Sequence, residues 1–394
     1  MALIYSNLAK YFNQKRVLVT GHTGFKGTWL CCALKALGAN VCGLSLDPYS
    51  EGGRSFFLNS DFCGQSYYCD ITAPESVKAV FQEFRPDIVF HLAAQPLVIK
   101  GLKEPRGTFD VNIGGSLNVL DQVRMADYPV DLCVVTSDKV YQNTDTQSFF
   151  SETSSLGGDD PYSASKACVE IISRSYSTSI SLDGHEKRIV TARAGNVFGG
   201  GDWAIDRLIP DFFRSLLKKE AMKIRMPEAT RPWQFVLDAV FGYLMLMHKV
   251  GGMSGSRAGN SWCGAWNFGP DADQIISVKS MVDLFNSEVS NTVDILVEPV
   301  GKGSEKRFLG VDSTKARELL GWKQVFDIQK SIKFSGLCIG TSIQSSPEII
   351  FIAPFIISLE LTGLARKYDP VSRSKILFEK FSRLDKNGNS CVLA

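Results

Sequence analysis

Apolar runs of strand length alternate with stretches of helical periodicity through the first half of this chain. Arg16-Val-Leu-Val-Thr20 reads as a buried strand, Thr28 to Leu37 as a helix and Val41 to Leu46 as a second strand. Ser66 to Cys69, a helical Pro74 to Phe84 and the strand Asp87 to His91 follow. After another helical stretch come Leu132 to Thr136 and, later, Arg188 to Ala194. Strands alternating with helices predict an α/β fold, a doubly wound parallel sheet covered on both faces. Ligands of such sheets sit at the carboxyl ends of the strands, which is where each motif below falls.

Past about residue 200 the pattern loosens. Gly251 to Trp262 reads as a Gly- and Ser-rich loop between Tyr243 to Val250 and Ala265 to Phe268. With 394 residues available, the simplest division is a first domain over 1–200, a smaller lobe over 201–335 and an atypical tail over 336–394. Charge adds little: 43 basic against 41 acidic residues give a net +2, which excludes an electrostatic case for nucleic acid or a membrane surface. A small anionic ligand stays open. Ten cysteines occur without a C-x-x-C pair or a His cluster at ligand spacing, so reduced thiols in a cytoplasmic protein and no metal are expected. The first sixteen residues lack an apolar signal core, and the apolar run 349–359 is too short to span a bilayer.

Gly21-His-Thr-Gly-Phe-Lys-Gly27 follows the first strand and opens a helix. Glycines there permit a tight turn and let backbone N–H groups approach a pyrophosphate at the positive end of the helix, so Gly21, Thr23, Gly24, Phe25, Lys26 and Gly27 are candidate dinucleotide contacts. Asp47, just past the second strand, is available for the adenosine ribose and favours NAD over NADP. Asp70 and Ile71 close the third strand and can bracket the adenine, or merely form a strand-end turn. Leu92, Ala93 and Ala94 supply small residues where backbone lies against a flat cofactor.

Tyr162 and Lys166 are four apart and share a helix face, downstream of Thr136-Ser-Asp-Lys139. A phenol is a poor base at neutral pH, and an adjacent ammonium favours its ionised form. Tyr162 then takes a proton from a hydroxyl whose carbon gives up hydride, Ser137 steadies that oxygen, Lys166 binds the nicotinamide ribose, and Asn112 orients the lysine through water.

Together these motifs resemble the extended short-chain dehydrogenase/reductase family, with its Rossmann-type domain and smaller C-terminal lobe. Further segments, His91 to Leu97, Ala192 to Val197, Gly200 to Trp203, Arg231 to Gln234, Trp266 to Pro270 and Leu320 to Trp322, are similar to its nucleotide-sugar 4,6-dehydratases of the CDP-glucose branch, over about residues 8 to 332. The resemblance implies bound NAD, CDP-glucose as substrate, a homodimer, and a cycle of C4 oxidation, loss of water across C5 and C6, and hydride return to C6 that feeds deoxysugar synthesis. Such a cycle needs one acid and one base beyond the hydride machinery. Asp138 is assigned as the acid and Lys139, where many relatives carry Glu, as the base; an ordinary Asp138–Lys139 ion pair is the other reading. Gln95, Thr136, Asn196, Arg207, Arg231 and Arg307 are the candidate substrate contacts, the arginines for the diphosphate.

Past Ile332 the resemblance fades, and no closing helix is evident. An incomplete EF-hand entry at Asp385 to Asn389 and a formal prenylation box at Cys391 to Ala394 carry no functional expectation. Competing readings are an epimerase or decarboxylase with the same cofactor site, and an inert nucleotide-binding protein.

Overall fold

A computed structural model of the chain describes residues 2–47, 63–146, 148–182, 186–252, 262–288, 292–298 and 306–343. Helix α1 (Ala2–Phe12) leads into β1 (Arg16–Thr20), α2 (Phe25–Ala36), β2 (Asn40–Ser45), β3 (Gln65–Tyr68), α3 (Pro74–Phe84) and β4 (Ile88–His91). Short helices α4 (Val98–Lys103) and α5 (Pro105–Phe109) come next. A π-helical turn at Asp110–Gly114 joins α5 to α6 (Gly115–Met125), before β5 (Val130–Val135), α7 (Pro161–Leu182) and β6 (Lys187–Ala194). Then come β7 (Val197–Phe198), α8 (Leu208–Lys218), β8 (Met222–Ile224), β9 (Thr230–Pro232), β10 (Gln234–Phe235), α9 (Val236–Gly251) and β11 (Gly264–Phe268). The described part closes with β12 (Ile275–Ser277), α10 (Val278–Glu288), β13 (Ile295–Val297) and α11 (Ile328–Ile343).

Seven strands form one sheet in the order β11-β6-β5-β4-β1-β2-β3, every neighbouring pair parallel. The doubly wound architecture expected from the alternation is present, because strands as apolar as β1 and β5 must be covered on both faces. Trp29, Leu30, Phe235, Val240, Tyr243 and Trp266 bury one face, and Val77, Phe81, Val119, Val123 and Val169 bury the other. Phe198, Phe212, Phe213, Trp233, Met281 and Phe285 form a separate core beside the sheet.

Two features run across the segment limits read from the sequence. Helix α9 and strand β11 lie beyond residue 200 yet belong to the sheet layer, β11 pairing with β6 from Gly264↔Val190 to Phe268↔Ala194. The chain therefore leaves the sheet, builds part of the small lobe, and returns. Helix α11 spans Ile328–Ile343 where no closing helix is evident from the pattern; Ile332 packs into the lobe core and Phe334 against Phe235 and Phe326. The apolar run 349–359, the EF-hand entry and the C-terminal box lie outside the described residues. Among the described residues no helix is long and apolar enough to cross a membrane, and no group of three or more His, Cys, Asp and Glu side chains could hold a metal ion.

Candidate active site

The first strand ends beneath a turn that only glycine can build. Gly21 has φ +74°, and a Cβ there would stand 2.7 Å from the Ala93 nitrogen; a Cβ on Gly27 would stand 2.1 Å from the Gly21 carbonyl oxygen. Gly24 caps α2 without a side-chain hydrogen bond, so the N–H groups of the first helical turn stay open to an anion. Thr23 reaches back to Ser45 at 2.6 Å, joining the turn to the end of β2, and exposed Asp47 lies just beyond. The Thr20 hydroxyl accepts from the backbone N–H groups of Leu92 and Ala93, holding that loop over the turn. This cradle fits the dinucleotide expected from the motif.

Next to it, β5 delivers Ser137 and Asp138 opposite the first turn of α7. The Ser137 hydroxyl donates to Asp138 Oδ1 at 3.0 Å, accepts from the Lys139 N–H at 3.2 Å, and lies close enough to the Tyr162 phenol to act on it. Asp138 is 2% exposed and its Oδ2 has no partner; burial raises its pKa against the pull of Lys139, Ser137, Arg231 and Lys26. An acid that holds its proton is what this environment makes. Lys139 is half-buried, beside that carboxyl.

Tyr162 departs from expectation. Its pKa is raised, because burial outweighs the favourable influence of Ser137 and Arg207, and Lys166 is not among its main influences. The Lys166 ammonium points to the Val135 carbonyl oxygen at 3.4 Å, and burial together with nearby Lys26 lowers its pKa to about 7. Without ligands, the phenol is thus held neutral rather than activated.

The small lobe brings Arg207 and Arg231 to the same site. Arg207 pairs with buried Asp202 at 3.0 Å and lies close enough to Tyr162 to influence it. Arg231 on β9 lies close enough to act on Asp138. Exposed Arg307 runs alongside, its carbonyl oxygen accepting from the Thr230 N–H at 2.9 Å. Asn196 is half-buried between β6 and β7, and its carbonyl oxygen accepts from the Gln234 N–H.

Other candidates are occupied internally. The Gln95 side chain accepts from the Leu97 N–H and donates to the Leu97 carbonyl and Thr108, so it braces its own loop. Thr136 donates to Glu170, which also accepts from Thr191 and Arg193; its hydroxyl faces a closed buried network and not the cleft. Asn112 sits in the π-helical turn and binds the Gln95 backbone and the Ser165 hydroxyl, clamping the loop after β4 to α7. Asp70 accepts from the Thr72 N–H as a turn residue, and Ile71 is buried against Gly115. What the motifs underrate is Lys26. It is coupled to Lys166, Asp138, Arg207 and Asp202, and burial lowers its pKa to about 8. A lysine in the first turn of a helix, where anions are favoured, is the available signal.

A model of the NAD dependent epimerase/dehydratase family matches residues 17–257. The chain belongs to this family. Within reach of the family's cofactor turn, the resemblance read from the motifs is met. The chain is 35% identical over 316 residues to a CDP-glucose 4,6-dehydratase of Salmonella typhimurium, covering 79% of this chain and 87% of that protein. Among solved structures, an epimerase of Methanothermobacter thermautotrophicus superposes with a TM-score of 0.73 at 26% identity, over 88% of this chain and 97% of that one. A Thermus thermophilus UDP-glucose 4-epimerase in complex with NAD gives 0.71 at 22% identity, over 84% and 99%. These family members share the parallel sheet, and the epimerase/dehydratase family uses NAD as its cofactor.

Proposed function

We propose that the chain converts CDP-glucose to the 4-keto-6-deoxy sugar nucleotide with NAD, as a hydro-lyase. The observation that carries the reading is Asp138, a buried carboxyl with an unpartnered oxygen set against Ser137, Tyr162 and Lys139. Hydride transfer alone needs the Ser137, Tyr162 and Lys166 set; a further acid and base are what elimination of water adds.

The glycine turn holds the NAD pyrophosphate, Asp47 the adenosine ribose and Lys166 the nicotinamide ribose. NAD, when bound there, would supply the acceptor for hydride from C4 and the donor for its return to C6. Tyr162 takes the O4 proton with Ser137 against the same oxygen. Lys139 removes the C5 proton, made acidic by the new ketone, and Asp138 protonates O6 so that water leaves. Lys139 must be neutral to act as this base. Arg207, Arg231 and Arg307, with Asn196, receive the diphosphate and nucleotide. The chain works as a cytoplasmic homodimer in this reading.

The test is incubation of the purified chain with NAD and CDP-, dTDP-, UDP- and GDP-sugars. The alkali-induced absorbance of a keto-deoxy sugar is expected with CDP-glucose. An epimer or pentose would move the reading to another branch of the family, and no product with any donor would favour a binding protein. With Lys139→Met, reduced NAD should accumulate on substrate addition without release of product. Normal turnover by that variant would remove Lys139 from its role.

A further inference from the structure

The elimination leaves the protons of the site in the wrong places, and the structure contains a route that puts them back. This inference rests on the dehydration proposed above. Over one cycle Tyr162 gains the O4 proton. Asp138 loses one to O6, which departs as water. Lys139 takes the C5 proton and returns it to C5. The electron pair lost from C4 is recovered at C6, so the sugar undergoes no net oxidation and the products are the keto-deoxy sugar nucleotide and water. The protein therefore ends with one extra proton on the Tyr162 oxygen and one missing from the Asp138 carboxylate. A second turnover requires that single proton to move between them.

Bulk water is poorly placed to do this, since Tyr162 is 9% exposed and Asp138 2% exposed. Ser137 is well placed. Its hydroxyl donates to Asp138 Oδ1 at 3.0 Å and lies close enough to the Tyr162 phenol to favour its ionised form. The Lys139 N–H, at 3.2 Å from Ser137 Oγ, fixes the hydroxyl between them and uses one of its two lone pairs. The other lone pair remains for the phenol proton.

We propose that Ser137 is a proton relay that resets the site: the Tyr162 phenol gives its proton to Ser137 Oγ as the Ser137 hydroxyl proton passes to Asp138. The Tyr162 O–H bond breaks and an O–H bond forms on the Asp138 carboxylate, while at Ser137 Oγ one O–H bond breaks as another forms, so the serine is unchanged. The same side chain thus serves oxidation early in the cycle and recharging of the acid at its end.

Rapid-quench measurement of keto-deoxy product with the full chain, NAD and CDP-glucose tests this in Ser137→Ala, Ser137→Asn and Ser137→Thr. Asparagine keeps the cap on the Lys139 N–H but cannot pass a proton as a hydroxyl does, so it covers misfolding of the alanine variant. Expected for both non-hydroxyl variants is one product per site in a first phase, followed by turnover at least about tenfold slower than that phase, a split that about 1.4 kcal/mol in the barrier produces. Threonine should restore the ratio of the two phases to that of the unaltered chain. An equal fold loss in first and later turnovers, with no one-per-site phase, would overturn the relay. If the unaltered chain makes no keto-deoxy product from any sugar nucleotide, the dehydration reading fails instead; an epimerase reaction leaves no such proton imbalance to correct.

Discussion

Thr136 and Ser137 are neighbours in the chain and opposites in the structure. Extended backbone turns successive side chains to opposite faces, so the strand end serves two polar systems at once. On the Thr136 side, Glu170 accepts from Thr136, Thr191 and Arg193, Arg193 donates to the Tyr141 hydroxyl, and that hydroxyl donates to Asn267. Only Arg193 Nε lacks a partner in that set. On the Ser137 side, a buried carboxyl oxygen is left open, a neutral phenol waits, and two lysines have lost much of their basicity. One system ties β5, β6 and β11 together; the other keeps unused bonding capacity for a substrate. Satisfied buried networks stabilise, and unsatisfied ones mark chemistry.

If that contrast is right, mutations on the two sides should separate activity from stability. Tyr162→Phe should cut product formation by about 100- to 10,000-fold, the range of a positioned acid or base, with no absorbance of reduced NAD on adding substrate and an unfolding midpoint at or above that of the parent. Retained NAD reduction would show that the phenol is not the base. Arg193→Ala should do the reverse. Stranding buried Glu170 costs about 3–5 kcal/mol in denaturant unfolding. Turnover per folded molecule should stay within a few fold. A large fall in turnover well below the melting transition would join the two networks into one.

The legibility of the chain follows the same division. The glycine turn, the strand ends and the Tyr162–Lys166 pair were legible because each is set by residues close in sequence. The strands at Arg16–Thr20 and the helix at Pro74–Phe84 fall where apolar spacing puts them. The internal partners of Gln95 and Thr136, Thr108 and Glu170, were not legible because they come from 13 and 34 residues away. Lys26 was underrated for a related reason: its charge partners, from Asp138 to Arg207, arrive from β5, α7 and the small lobe. Strand β11 was legible as a strand, but nothing local reveals that it returns to the sheet beside β6.

A smaller effect sharpens the reactive side. The Asp138 carboxyl is pushed upward by burial, so between the unfolded carboxylate range near pH 4 and its folded value the folded state binds more protons. Its contribution to stability is complete in acid and is lost as pH rises through that window. Asp138→Asn should therefore raise stability at pH 7 by about 1 kcal/mol while abolishing dehydration, and the gain should vanish near pH 4. Thermal melts across that range check it. A stability loss at pH 7 would mean the carboxylate is paired.

The smallest expected effect concerns the two lysines, whose titration should move cofactor binding and stability in opposite directions. Burial lowers Lys166 to about 7 and Lys26 to about 8, so in the empty protein both lose protons across the neutral range. The unfolded chain keeps those protons up to about pH 10, so the unfolded state binds more of them and stability of the empty protein should rise as pH climbs from about 7. NAD brings anionic phosphates, which favour the charged ammonium. Its affinity should fall over the same interval, by about tenfold near pH 9, where a lysine with a pKa of about 8 is only about one-tenth protonated. Lys26→Met should flatten the upper part of that curve, and by removing a neighbouring positive charge it should shift the Lys166 step to higher pH. Titration of NAD against intrinsic tryptophan fluorescence at a series of pH values reads both changes. An unaltered slope in Lys26→Met would place the Lys26 ammonium away from the cofactor and leave Lys166 to account for the pH dependence.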